Sequence, residues 1–188
     1  MTQENRGLWL GFVGVAIFAL TLPMTRMAVG TVEAPQMSGV FIALGRAVVA
    51  AALSALFLLA TRAPLPRRED WAPLAITSAG VVFGFPLLTS LAMRYVEAVH
   101  ASVIVGILPL ATAVAGALLH RQRPSTAFWA CAAAGSVLVV AFAVLRSGRA
   151  GLAIQPADAL LLAAMACAAV GYAWGARLSQ RMRAEHVI

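Results

Sequence analysis

Arg46 stands about eight residues into an apolar run that extends from Ser38 to Ala60, where its guanidinium could reach water only at a cost. If that run crosses a bilayer, a charge at its centre costs about 2.5 to 3.5 kcal/mol on insertion scales, and such a residue is by default a functional one. Two readings stay open. The guanidinium faces an aqueous cavity inside the bundle, or it snorkels along its methylenes toward the nearer interface, and its depth favours the cavity. No Asp or Glu lies deep in any apolar run. The five N–H donors of Arg46 must therefore find backbone carbonyls, hydroxyls or an anionic ligand.

A second chemistry-bearing stretch is Thr21-Leu22-Pro23-Met24-Thr25-Arg26, which interrupts another apolar run. Pro23 removes one backbone donor and frees a carbonyl about a turn earlier, while the hydroxyls of Thr21 and Thr25 can satisfy exposed backbone or meet a solute. Pro86 with Thr89 and Ser90, and Pro109 near Ser102 and Thr112, repeat the pattern in later runs. Interrupted helices line substrate paths in transporters, and simple proline kinks give the same sequence. The candidate pathway residues are thus Thr21, Pro23, Thr25, Arg46, Pro86, Thr89, Ser90 and Pro109.

Enzyme chemistry finds no support. The chain has no HExxH, GxSxG or P-loop pattern and no pair of carboxylates within an apolar run. His100 and His120 fall near the ends of apolar runs, where a solvated or headgroup-facing role is the default, and His186 lies in a polar tail. Cys131 and Cys167 lack metal-ligand spacing and read as small packing residues. No catalytic residue, metal or cofactor is expected.

Composition explains what must hold these residues. The 188 residues are 62% hydrophobic and 11% charged, with a mean hydropathy of +0.89, and a soluble domain needs far more polar surface than this. The net charge of +7 is the balance of fourteen arginines against seven acidic residues, and all the arginines but Arg46 lie at the ends of apolar runs. That arrangement suits anionic headgroups rather than nucleic acid. A spanning helix needs about 20 apolar residues, and six stretches meet that length: Leu8–Val29, Ser38–Ala60, Trp71–Met93, Ala98–Leu119, Ala127–Leu145 and Ala157–Ala176. They show no sustained alternation, which excludes a barrel. An all-α, polytopic transmembrane bundle follows. The first run is too long for a signal-peptide core and is expected to stay as a span.

Turn residues separate the spans, as in Glu33-Ala34-Pro35, Ala63-Pro64-Leu65-Pro66 and Arg123-Pro124-Ser125. One side of the membrane collects Arg6, Arg62, Arg67, Arg68, Arg121, Arg123, Arg177, Arg181 and Arg183, against Arg26, Arg94, Arg146 and Arg149 on the other. By the positive-inside rule both termini are cytoplasmic in a cell membrane. Gly80 with Gly84, and Gly171 with Gly175, have the spacing that allows close helix packing.

The order of these features resembles the drug/metabolite transporter superfamily and its EamA-like repeat of five helices. The resemblance rests on Leu22-Pro23-Met24-Thr25-Arg26, on Phe41 five residues before Arg46, on the run Ala101 to Leu110, on Leu118-Leu119-His120-Arg121-Gln122-Arg123-Pro124-Ser125, and on Gly135. Gln122 departs from the pattern, since similar proteins commonly carry Glu there. The resemblance implies half of a ten-helix carrier built from two inverted repeats, with residues 1–146 as the first repeat and residues 147–188 opening the second. It further implies secondary transport of a small metabolite or drug-like solute, and a missing second repeat or another copy as partner. The odd number of spans between the two repeat starts inverts the second copy. The alternative is a membrane scaffold that packs through small-residue faces and moves nothing.

Overall fold

The computed structural model describes residues 3–121, 124–147, 155–183 and 186–187. The described chain is helical, and its one β-type pairing is an isolated bridge between Gly30 and Pro35 in the first connection. Five helical stretches are long and apolar enough to cross a membrane: Gly7–Val29, Gly39–Ala60, Arg68–Ala92, Ala98–His120 and Ala157–Leu178. A shorter apolar stretch, Thr126–Phe142, belongs to a helix that runs over Thr126–Ser147. These are the six expected apolar regions of a multi-pass membrane protein.

Three of the first four spans are broken, and each break lies next to a proline. The first divides into α1 (Gln3–Ala19) and α2 (Thr21–Val29). Pro23 has no N–H for the carbonyl of Ala19, and around Leu20 the ladder tightens, with Leu20 N donating to Ile17 O at 3.2 Å. The second span, α3 (Gly39–Ala60), is continuous. The third comprises α4 (Trp71–Ser78), a π-helical stretch over Ala79–Gly84, and α5 (Phe85–Ala92). The wider winding precedes Pro86, where a regular helix would push the proline ring against the carbonyl of Val82. The fourth divides into α6 (Ala98–Val105) and α7 (Leu108–His120) just before Pro109. The helix Thr126–Ser147 is α8.

The last helix, α9 (Ala157–Leu178), is the centre of the assembly. It packs against α4, the π stretch and α5 on one side and against α6 and α7 on the other. In its apolar window 39% of residues are buried, compared with 6% in the first span. The cause is visible in its residues: Ala157, Leu161, Ala164, Ala168, Gly171, Gly175 and Leu178 recur at alternating spacings of four and three, which places them on one stripe. All but the half-buried Gly175 are buried. In lipid, helix association depends on close packing rather than on expelling water, so a small-residue stripe lets backbones meet.

That approach is closest where the two glycine pairs meet. A Cβ placed on Gly80 would strike the carbonyl oxygen of Cys167 and come within 3.1 Å of the Gly171 Cα. On Gly171 it would come within 2.7 Å of Val81 Cγ2 and 3.2 Å of the Thr77 carbonyl. Thr77 near Gly171 and Gly175, and Phe85 clustered with Ala164 and Ala168, set the third span antiparallel to α9. The fourth runs parallel to it, as contacts at both ends show. Large apolar side chains along α1, such as Leu8, Trp9 and Phe12, point away from the bundle, where acyl chains or further helices can cover them.

Candidate functional site

The break at Leu20 opens a cleft between the first and second spans. Its volume is about 410 Å³, and its walls are Ile17 and Leu20, then Thr21, Met24, Thr25 and Ala28 of α2, and Ile42 and Arg46 of α3. Five of these eight are apolar, two carry hydroxyls and one carries a full charge. A groove of similar size between α7 and α8 is lined by Ile107, Leu110, Ser136, Val137, Val140 and Ala141 and has no charged group. The cleft at Leu20 is therefore the one with chemistry to offer.

Arg46 reaches that cleft from the eighth position of α3. Its Nη1 lies 3.5 Å from Thr25 Oγ1, the outer limit of a hydrogen bond, and no other partner is present among the described residues. Thr25 is 4% exposed, so it presents its hydroxyl from a fixed position on α2. No Asp or Glu lines the cleft. Two other arginines show the contrast. Arg26 donates to the carbonyl oxygens of Gly30 (3.2 Å) and Met93, and Arg94 donates to that of Met37 at 3.0 Å. These two tie the connecting ends of the first three spans together, whereas Arg46 keeps most of its donors uncommitted.

The candidate pathway residues thus fall into separate groups. Thr21, Thr25 and Arg46 line one cleft. Pro23 sits on α2 beside it, on an exposed position, and acts through the break it imposes. Pro86, Thr89 and Ser90 are buried in the third span and do not reach the cleft lining. The Thr89 hydroxyl donates to the Phe85 carbonyl at 2.6 Å, a bond one turn back along its own helix that satisfies the buried hydroxyl. Ser90 is fully buried, and its hydroxyl has no partner among the described residues. Its carbonyl abuts Gly39, where a Cβ would approach it to 2.8 Å. Pro109 is exposed at the start of α7. Gln122 lies outside the described residues.

Two polar contacts join the fourth span to α9, and reading each histidine by itself misses both. Near the start of the helices, His100 Nε2 and Asp158 Oδ1 are 2.6 Å apart, with side chains 12% and 13% exposed. Asp158 Oδ2 also accepts the Gln155 N–H at 2.9 Å. At the other end, Arg177 Nη1 lies 3.4 Å from His120 Nδ1. The His120 ring meets Trp174 edge-on at 4.8 Å, and the Arg177 guanidinium lies 5.8 Å from the Trp174 centroid. His100 is therefore half-buried and paired, not solvated. The sequence does hold a signal for this: His100 and Asp158 are each within the first three residues of spans that start on the same side.

Comparison with known proteins agrees with this architecture. Residues 5–147 match the EamA-like transporter family. Over all 188 of its residues the chain is 41% identical to a Bacillus subtilis (strain 168) protein named "Uncharacterized transporter YdeK". The chain spans 63% of that relative's length. No solved structure matches it. The broken first span, the helical bundle and the family match lead to one conclusion: this chain is a membrane protein that belongs to the EamA-like transporter family.

Proposed function

We propose that the chain supplies the solute-binding part of a secondary carrier for small organic molecules that bear an anionic group. The observation that carries this reading is Arg46, a guanidinium bonded only to the Thr25 hydroxyl among the described residues, in a mainly apolar cleft. A bound carboxylate would accept from that guanidinium with good geometry. Ile17, Leu20, Met24 and Ile42 would hold the apolar body of the same solute. Thr21 and Thr25 would fix its orientation.

In this proposal residues 1–146 form the first five-helix repeat and residues 147–188 begin the second. Both termini face the cytoplasm across a cell membrane, with no nucleic acid, metal or cofactor involved. Alternating access requires a counterpart to the first repeat. It comes from further helices of a longer protein or from another copy, since the chain covers 63% of the relative it matches.

The test is solute counterflow in proteoliposomes containing this chain, and in parallel its longer relative, with a panel of labelled carboxylates, zwitterions and amines. The expected result is movement of one or more carboxylates down an imposed gradient, abolished by Arg46→Leu at unchanged membrane insertion. If neither protein moves any member of the panel, the carrier reading fails.

A further inference from the structure

The groove between α7 and α8 shares no residue with the Arg46 cleft, and its chemistry is different. Its volume is about 390 Å³, and Ile107, Leu110, Ser136, Val137, Val140 and Ala141 line it. The polar side chain in that lining, Ser136, already donates to the Ala132 carbonyl at 3.0 Å. The lining therefore asks no hydrogen bond of a ligand. The gap itself follows from the break in the fourth span, where Pro109 has no N–H for the carbonyl of Val105. Beside that break α8 comes close at one point, since a Cβ on Gly106 would strike Val139 Cγ1. Next to this contact Ile107 and Leu110 face the α8 residues across a space that neither helix fills.

Depth decides what medium meets the groove. Leu110 and Ser136 each lie ten residues in from the helix ends at His120 and Thr126, about 15 Å at 1.5 Å per residue. That is half of a hydrocarbon core about 30 Å thick, a level that headgroups do not reach. An empty space there would forfeit dispersion contacts along both walls. Val137 is 66% exposed, so the groove opens to the outside of the bundle. Size then decides between protein and hydrocarbon. One turn of a helix, about 10 Å across and 5.4 Å long, takes up about 420 Å³, as much as the whole groove. Helices that dock in lipid also meet on small residues, whereas Ile, Leu and Val dominate these walls. A thin, flexible alkyl chain fits both constraints.

We propose that the groove between α7 and α8 is a seat for the end of one phospholipid acyl chain, recognised by shape and apolarity alone. The chain fills the space beside the Pro109 break and completes the packing of α8 against the fourth span. Because the seat lies at the bilayer midplane, the headgroup of the lipid is far from it and takes no part in recognition. The site does not depend on the carrier reading, and a protein that moves no solute would hold the chain in the same way.

The test places the chain in phosphatidylcholine vesicles, with Trp9, Trp71, Trp129 and Trp174 replaced by Phe and a single tryptophan returned as reporter. Val137→Trp puts the reporter at the mouth of the groove. Leu138→Trp is the reference at the same depth, on a residue that is 69% exposed and outside the lining. Fluorescence is followed as phosphatidylcholine brominated near its chain ends replaces the plain lipid. The expected loss at Val137→Trp rises in proportion to the brominated fraction, as one resident chain dictates, and is several-fold smaller with bromines near the headgroup. Leu138→Trp should instead follow the steeper, early-saturating curve of several exchanging neighbours. Added Ala141→Phe, which fills the groove, should remove most of the quenching at Val137→Trp and leave Leu138→Trp unchanged, which separates occupancy from a folding defect. Brominated phosphatidylglycerol should reproduce both curves, and a headgroup preference at Val137→Trp would overturn the proposal. Identical curves for the two reporters, or no effect of Ala141→Phe, would overturn it in favour of bulk lipid. Quenching at Leu138→Trp with none at Val137→Trp would overturn it in favour of a protein occupant.

Discussion

Thr25 and Arg46 meet across the first two spans, hydroxyl to guanidinium, at 3.5 Å. The contact is long because the two residues line opposite walls of a cleft rather than a packed seam. A ligand oxygen entering between them would take shorter bonds from the same guanidinium, and the apolar surroundings would strengthen those bonds.

Arg46→Leu is expected to abolish carboxylate counterflow without lowering insertion, since removing a charge from a spanning helix favours insertion by about 2.5 to 3.5 kcal/mol. Arg46→Lys keeps the charge and loses the planar fork, so it should raise the half-saturating solute concentration by about tenfold while leaving some transport. Unchanged kinetics in Arg46→Leu would leave the side chain with only a snorkelling role.

Pro23→Ala returns an N–H to the carbonyl of Ala19 and removes the cause of the break at Leu20. The variant should be more stable to heat in detergent, by up to about 3 kcal/mol if the helix closes fully. It should also transport more slowly, because a continuous helix narrows the cleft. Greater stability with full transport would separate the break from function.

Gly80→Ala is expected to be the most damaging of the glycine substitutions along the seam between the third span and α9, because the new methyl would meet the main-chain carbonyl of Cys167, which cannot turn aside. A loss of about 1 to 3 kcal/mol is the usual cost of overpacking. Gly175→Ala should cost less, since its nearest neighbour is the Thr77 methyl at 3.3 Å. Reversible unfolding in mixed micelles measures both, and equal losses would sink the close-approach account.

Orientation has a direct check. In a chain whose Cys131 and Cys167 are replaced by Ala, a single cysteine in the connection 62–70 should resist a membrane-impermeant maleimide added outside intact cells and react after lysis. Labelling from outside would reverse the assigned sides.

What was legible in the sequence was local. Span positions follow from apolar length, and the breaks follow from Pro23, Pro86 and Pro109, because a proline acts on the carbonyl four residues before it. The connection of Thr25 with Arg46 was partly legible, as both are polar residues at comparable depth in adjacent antiparallel spans. The neighbours of each span were not. His100 and Asp158 are separated by 58 positions, and each alone resembles an ordinary helix-end residue. Their pairing depends on the fourth and sixth spans lying parallel and side by side. The four-three stripe from Ala157 to Leu178 could have marked α9 as central, but small residues carry little hydrophobic contrast in a chain that is apolar nearly throughout. Ser90 was legible as a polar residue near a break, yet its burial against Gly39 comes from the approach of α3, which no local pattern announces.

The family match ends at residue 147, while α9, the helix with the largest buried share, begins ten positions later. The matched family segment therefore ends before the helix on which the third and fourth spans pack. A chain cut back to the matched region would keep its spans but lose the surface on which the third and fourth assemble, so its remaining helices should insert without acquiring a common cooperative transition.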